Sequence, residues 1–90
     1  MGHTSTNPEL LARVHRIAGQ VGAVEKAIVA GEPCATVLHR VAAVRGAVNG
    51  LLDEVIAEHL ESHVAAPGLA AAERKAGADE LLAVIRRYSK

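Results

Sequence analysis

Apolar positions recur along most of the chain at steps of three and four residues, which is the spacing of one helix face. The first such run follows Asn7 and Pro8, a pair typical of a helix start, and Gly31 follows the run as a stop signal. These signals predict a first helix over about residues 8–30. Its apolar stripe consists of Leu10, Val14, Ile17, Val21, Val24 and Ile28.

A second and longer apolar run begins after Glu32 and Pro33, which interrupt helical geometry. From Cys34 the helical spacing persists for about thirty residues, so the sequence predicts a long second helix. Gly46 and Gly50 lie inside this helix, where each glycine costs about 1 kcal/mol relative to alanine. Such a cost is reasonable where another backbone must come close, and we therefore expect a close helix contact there.

The last part of the chain predicts a third helix. Pro67 and Gly68 indicate a turn, and an alanine-rich stretch then leads to apolar residues at helical spacing, with Gly77 as a candidate interruption. No alternating pattern typical of a strand is present. We therefore expect an all-α fold in a single domain over residues 1–90, with residues 1–7 as a flexible N-terminal arm.

The composition limits the core that one chain can build. Apolar residues make up 50% of the 90 positions, but they are mostly small aliphatic ones, and Tyr88 is the only aromatic residue. We therefore expect association between copies to supply part of the core. The ten basic and ten acidic residues cancel, so the net charge alone does not predict a nucleic-acid partner.

The cysteine content indicates the compartment. Cys34 is the single cysteine, which excludes an internal disulfide and is typical of a protein in the reducing cytosol. No apolar stretch reaches the roughly 18 residues of a membrane span, and the N-terminal region does not have the pattern of a secretory signal. We expect a cytoplasmic protein with no membrane partner.

The segment from His59 to His63 places two histidines on one helix face, about 6 Å apart. Two such imidazoles can share a metal ion, although on an exposed helix the pair is more often simply solvated. Cys34 lies about 37 Å away at the start of the same helix, so one chain cannot close a site with all three. Taken alone, Cys34 is more often a small buried apolar residue. In an antiparallel dimer, however, Cys34 of one chain would lie beside the histidines of the other.

The N-terminal arm carries a further candidate ligand, His3. Removal of Met1 would free the α-amino group of Gly2 beside it, although a Met-Gly-His start can also be a cloning residue. Mixed imidazole, amine and thiolate donors favour nickel and cobalt, tolerate zinc and exclude calcium and magnesium.

Three stretches of the sequence are similar to a known family. They are RVHRIAGQV at 13–21, EPC at 32–34 and VAAVRGAVNGLLDEVIAEHLESH at 41–63. These stretches resemble the copper-sensitive operon repressor and nickel/cobalt efflux repressor family (CsoR/RcnR). The resemblance implies a three-helix protomer that assembles into antiparallel dimers and then tetramers, represses transcription when unliganded and leaves operator DNA when an effector binds.

The resemblance also implies roles for particular residues. The effector site of the family uses the cysteine at the start of helix two and ligands near the end of the partner's helix two, which here are Cys34, His59 and His63. Basic residues at the positions of Arg13, Arg16 and Arg45 are implicated in contacts with DNA. Without the resemblance, these arginines would be read as solvated charges on helix faces.

The choice among subfamilies depends on a few positions. Copper sensors have cysteine at the position of His63, and copper(I) prefers more sulfur than this chain offers. Formaldehyde-responsive members share Cys34, but they usually carry proline where this chain has Gly2, and they lack the histidine at 63. The nickel/cobalt repressor has the whole set, which is His3, Cys34, His59 and His63.

These positions favour a repressor that nickel or cobalt releases from DNA. A formaldehyde-responsive repressor that uses Cys34 is the alternative, and a metal-binding helical bundle without DNA binding is a more distant one. Because no oriented nucleophile, base and oxyanion-binding loop can be recognised, we do not expect an enzyme.

Overall fold

The computed structural model describes residues 7–88, which form three α-helices and no strand. The helices are α1 (Pro8–Val29), α2 (Cys34–His63) and α3 (Ala71–Tyr88). The prediction of an all-α, three-helix protomer with a long second helix is therefore confirmed. Residues 1–6, which include His3 and most of the arm predicted over 1–7, lie outside the described residues.

The ends of α1 follow from the signals in the sequence. The side-chain oxygen of Asn7 accepts hydrogen bonds from the backbone N–H groups of Glu9 at 3.0 Å and Leu10 at 3.2 Å, so Asn7 caps the helix. Gly31 follows the other end with a φ of 69°, a left-handed conformation that glycine adopts without strain. The chain then turns sharply and enters α2 directly after Pro33.

A turn at Gly68, with a φ of 83°, leads into α3. The Glu73 carboxylate accepts a hydrogen bond from the Ala70 backbone N–H at 2.9 Å, which satisfies a donor at the helix start. Arg74 in turn donates a hydrogen bond to the Val64 carbonyl just past the end of α2. These contacts turn α3 back along α2.

Helix α3 passes through Gly77 without a break, so the interruption suggested at this glycine is wrong. A Cβ added at Gly77 would lie 2.8 Å from the carbonyl carbon of His63 and 2.9 Å from its Cβ. Glycine is therefore present because α2 and α3 come too close for any side chain, and the helical hydrogen bonds continue through it.

The helices pack with little interior. Helix α2 packs against both α1 and α3, yet Leu10 and Ala27 are the only buried apolar side chains among the described residues. The radius of gyration is 17.3 Å, whereas a compact chain of this length would have about 12 Å. The molecule is therefore flat and extended, and much of its apolar surface faces outward. None of the described helices is long and apolar enough to cross a membrane.

Candidate functional site

The last two turns of α2 bring the predicted histidine pair together. The ring centroids of His59 and His63 lie 4.8 Å apart, and the ring planes are inclined by 41°. Both residues are half-buried, because α3 packs beside this part of α2. The spacing predicted from the sequence thus places two imidazoles side by side in a partly desolvated position.

A backbone group of α3 orients one of the two rings. Nε2 of His59 lies 2.9 Å from the carbonyl oxygen of Gly77. Since a carbonyl oxygen can only accept, Nε2 must carry the proton in this hydrogen bond. In the neutral ring, Nδ1 then keeps its lone pair, which is the form that a metal ion requires. Gly77 therefore selects the tautomer of His59 as well as allowing the close approach of α3.

The thiol predicted to complete the site lies at the other end of α2. Cys34 is the first residue of α2 and is exposed. The straight-line separation along the helix is about 37 Å, so the chain does not bring Cys34 to its own histidines. No group of three potential metal ligands is formed by the part of the chain that the structure describes. His3, the remaining predicted ligand, falls outside it.

The donor chemistry of the histidine pair fits a late first-row divalent ion. Two imidazoles suit zinc, nickel and cobalt, and they are poor ligands for calcium or magnesium, which prefer oxygen. The neighbouring carboxylates do not change this preference. Glu58 and Glu61 line a groove beside α1, whereas His59 lines the groove beside α3. The pair therefore supplies half of a site, and further ligands must come from outside this pair.

The three arginines predicted to contact DNA fall into two separate places. Arg13 and Arg16 line the same groove, formed by α1 together with Ala47 of α2. Arg45 is exposed and lines a different groove along the N-terminal half of α2. One chain therefore brings together two of the three arginines and leaves the third apart.

The sequence analysis missed the acidic partner of Arg13. The Arg13 Nη2 atom lies 3.8 Å from Oε1 of Glu54. Glu54 belongs to an acidic row on α2, with Glu58 and Glu61, that lines a groove of about 470 Å³ against the start of α1. The spacing of these glutamates places them on one helix face and could have been noticed, but the sequence does not reveal which α1 residue faces them.

The glycines of α2 were expected to mark a close helix contact. A Cβ added at Gly46 would meet nothing within 4 Å, and one at Gly50 would meet only the Arg13 side chain, at 3.4 Å. Among the described glycines, Gly77 is instead the one at which two backbones come close. For Gly46 and Gly50, contact with another chain's backbone stays a prediction.

Comparisons with known proteins agree with the fold. A family model described as "Metal-sensitive transcriptional repressor" matches residues 6–87. The chain is 42% identical to the transcriptional repressor RcnR of Escherichia coli (strain K12) and 44% identical to a protein encoded in the bioA 5′ region of Serratia marcescens, over the whole length of each. Its structure is similar to that of a glutamate-to-histidine variant of the formaldehyde-responsive regulator FrmR from Salmonella enterica serovar Typhimurium. That similarity has a TM-score of 0.83 at 41% identity and covers 90% of this chain and 91% of the other.

Proposed function

Because the chain belongs to the family of metal-sensitive transcriptional repressors, we propose that it is an operator-binding repressor that nickel or cobalt releases from DNA. The observation that carries the choice of effector is the pair of adjacent imidazoles at the end of α2. His63, like Gly2, departs from the pattern of the formaldehyde-responsive members. Zinc is tolerated by the same donors.

The effector site in this proposal is shared between two chains. Cys34 of one chain, together with His59 and His63 of the other, would hold the ion, with His3 and the chain's amino group as further ligands. When bound, the ion would supply the free energy that ties the two chains' ligands together. The hydrogen bond from His59 to the Gly77 carbonyl supports this role, because it presents Nδ1 as the ligand atom.

The exposed face of α2 supports an antiparallel dimer. Positions along this face alternate in steps of three and four, as in a coiled coil, and Cys34 and His59 occupy its two ends, about seven helical turns apart. Several of its apolar members are exposed in the single chain, although α2 is the central helix. The members are Cys34, Leu38, Val41, Arg45, Val48, Leu52, Val55 and His59. An antiparallel partner would cover this stripe and bring each thiol beside the other chain's histidines.

Helix α1 has an exposed apolar stripe of its own. Leu10, near the start of this stripe, is buried, whereas the members further along α1 are exposed. A single dimer interface along α2 leaves this second stripe without a partner, which supports assembly of two dimers into a tetramer. The exposed members of the stripe are Leu11, Val14, Val21 and Ile28.

The DNA surface in this proposal is assembled from several chains. Arg13 and Arg16 are neighbours on α1, and four copies of the pair in a tetramer would form a repeated basic surface against the phosphates. Arg45 would contribute from a second place on each protomer. Such a distribution suits a chain with no net charge, because the positive potential is local.

Release from DNA then follows from linkage between two equilibria. The ligands that close around the effector would shift α1 relative to α2, and this shift would displace the arginines from the phosphates. A coupling free energy of about 1–3 kcal/mol is typical, and DNA must weaken effector binding by the same factor. The regulated gene in this proposal would encode a metal exporter.

The formaldehyde-responsive alternative rests on the exposed thiol of Cys34. Overall similarity does not select between the two effectors, because RcnR and FrmR are about equally similar to this chain, at 42% and 41% identity. The two proposals differ in the role that they give to His63. Nickel or cobalt sensing needs this imidazole as a ligand, whereas a thiol that reacts with an aldehyde does not.

Titration of the reduced protein under anaerobic conditions tests the proposal. Nickel or cobalt should produce thiolate charge-transfer absorption and release duplex DNA at the same metal-to-protein ratio. Both effects should be lost in Cys34→Ala and in His63→Ala, and kept in the control His39→Ala. Release by formaldehyde alone would select the alternative effector. Failure of the wild-type protein to bind DNA would instead select a metal-binding bundle.

The basic surface has a separate test. The double substitution Arg13→Ala and Arg16→Ala should abolish DNA binding and leave the stoichiometry of metal uptake unchanged. Unaltered DNA affinity in this variant would show that the proposed surface is wrong. The salt dependence of binding by the wild-type protein provides the reference, because each lost phosphate contact reduces its slope.

A further inference from the structure

We infer that Glu54 is a positioning residue that holds Arg13 in the groove between α1 and α2 and thereby limits the affinity of the repressor for DNA. The inference rests on the proposed DNA-binding function. Arg13 Nη2 and Glu54 Oε1 lie 3.8 Å apart, and the two side chains are 39% and 52% exposed. The ion pair therefore lies at the surface, where an approaching phosphate can compete with the carboxylate.

A glycine of α2 provides the space that the arginine occupies. A Cβ at Gly50 would lie 3.4 Å from Nη1 of Arg13, so the guanidinium lies against the backbone of α2 at a point where no side chain intervenes. Gly50 and Glu54 are one helical turn apart on the same face. One residue therefore leaves room for the guanidinium, and the other supplies its counter-ion.

The surroundings of Arg13 strengthen this competition. The groove is also lined by three further glutamates, and Arg13 is the only Lys or Arg side chain that lines it among the described residues. These carboxylates attract the guanidinium inward and repel a phosphate that would draw it outward. The further glutamates are Glu9, Glu58 and Glu61.

Arg16 differs from Arg13 in this respect. It lies one turn further along α1 and is exposed, and it forms no ion pair with a carboxylate in the range 7–88. Arg16 can therefore meet a phosphate without first breaking a contact, whereas Arg13 must exchange Glu54 for the phosphate. The two neighbouring arginines would contribute unequally to DNA affinity, and Glu54 is the reason.

The experiment compares two isosteric substitutions that remove the same charge. Glu54→Gln removes the counter-ion of Arg13, whereas Asp53→Asn neutralises the adjacent position, which is exposed and forms no ion pair among the described residues. The probe is a duplex selected from a random pool by the wild-type protein. We expect Glu54→Gln to bind this duplex about threefold more tightly than the wild type does. The gain is small because exposed ion pairs of this kind are weak. Asp53→Asn should change the affinity by less than about half that factor.

A double-mutant cycle separates positioning from a general effect of charge. In an Arg13→Ala background, Glu54→Gln should change DNA affinity no more than Asp53→Asn does, because only the general effect of charge remains. Circular dichroism and nickel titration of each variant check that helix content and metal uptake are unchanged. An equal gain in the Arg13→Ala background, or no gain in the Arg13 protein, would overturn the inference while leaving the proposed function standing. Absence of DNA binding by the wild-type protein would overturn both.

Discussion

The two ends of α2 differ in how much of the proposed effector site they build within one chain. At the C-terminal end, His59 and His63 lie side by side, half-buried, and α3 orients His59 through the Gly77 carbonyl. At the N-terminal end, Cys34 is exposed and follows Pro33, which gives the helix no side-chain cap. A single chain thus positions the two imidazoles of the proposed site, whereas its thiol remains exposed to solvent.

The position of α3 accounts for this difference between the two ends of α2. Helix α3 packs beside the C-terminal part of α2. There it covers the turn that carries His59 and His63 (the histidine turn), and it lines a groove with Leu52, Val55 and Ile56. The N-terminal half of α2 has no such cover, and Leu38 and Val41 remain exposed there. An antiparallel partner would bring its own histidine turn and α3 to that bare half, so the asymmetry within one chain becomes symmetry in the dimer.

The largest effect is expected from removing a ligand at either end. Replacing Cys34 or His63 with alanine should weaken nickel binding by more than about 100-fold, since loss of a direct ligand exceeds the usual effect of an outer-shell residue. A competition titration with a chelator measures the change. His15→Ala, on α1, serves as the control and should bind nickel as the wild type does. Equal nickel affinity in Cys34→Ala would mean that the bare end of α2 takes no part in the site.

A smaller but broad effect is expected from Gly77→Ala. The added methyl group would collide with the backbone of His63, so α3 must move away, at a cost of about 1–3 kcal/mol in the free energy of unfolding. The hydrogen bond to His59 should be strained by the same movement, which lowers nickel affinity about tenfold. Urea unfolding and nickel titration measure the two quantities.

Gly19→Ala is the matched control for Gly77→Ala. A Cβ at Gly19, in the middle of α1, would meet nothing within 4 Å in the chain. Alanine there should stabilise the helix by up to about 1 kcal/mol. If Gly77→Ala stabilised the protein in the same way, the close approach of α3 to the histidine turn would be refuted.

The smallest effect is expected from removing the hydrogen bond that joins Arg74, near the start of α3, to the Val64 carbonyl. Arg74→Gln removes the charged donor to the Val64 carbonyl and should lower the free energy of unfolding by about 1 kcal/mol. Lys75→Gln removes an adjacent charge whose ion pair with Asp79, at 2.9 Å, is highly exposed, so it should cost about 0.5 kcal/mol or less. Equal effects of the two substitutions would show that Arg74 does not hold α3 in place.

Most of the helical architecture could be predicted because its signals are local. Asn7, Pro8 and Gly31 set the ends of α1, and Pro33 sets the start of α2. The role of Gly77 could not be predicted, because a glycine that breaks a helix and one that admits a neighbouring helix look the same in a single sequence. Only the position of α3 on α2 distinguishes them.

Less of the candidate site could be predicted, because only part of it depends on spacing within one helix. The four-residue spacing of His59 and His63 fixes their proximity, and the structure has it. The pairing of Arg13 with Glu54 depends on how α1 is aligned against α2, and the separation of Arg45 from Arg16 depends on which side of α2 faces α1. Spacing along one helix does not contain that information. The assignment of Cys34 to a partner's histidines stays a prediction.

Mixing two defective chains tests the shared site most directly. A Cys34→Ala chain and a His63→Ala chain should each fail to bind nickel tightly, because each homodimer lacks one ligand in both of its sites. After unfolding and refolding together, the mixed dimers should contain one complete site, with the thiol from one chain and the imidazoles from the other. Recovery of tight nickel binding with thiolate charge-transfer absorption in the mixture is the predicted result. A mixture that binds no better than its two components would contradict a site built between chains.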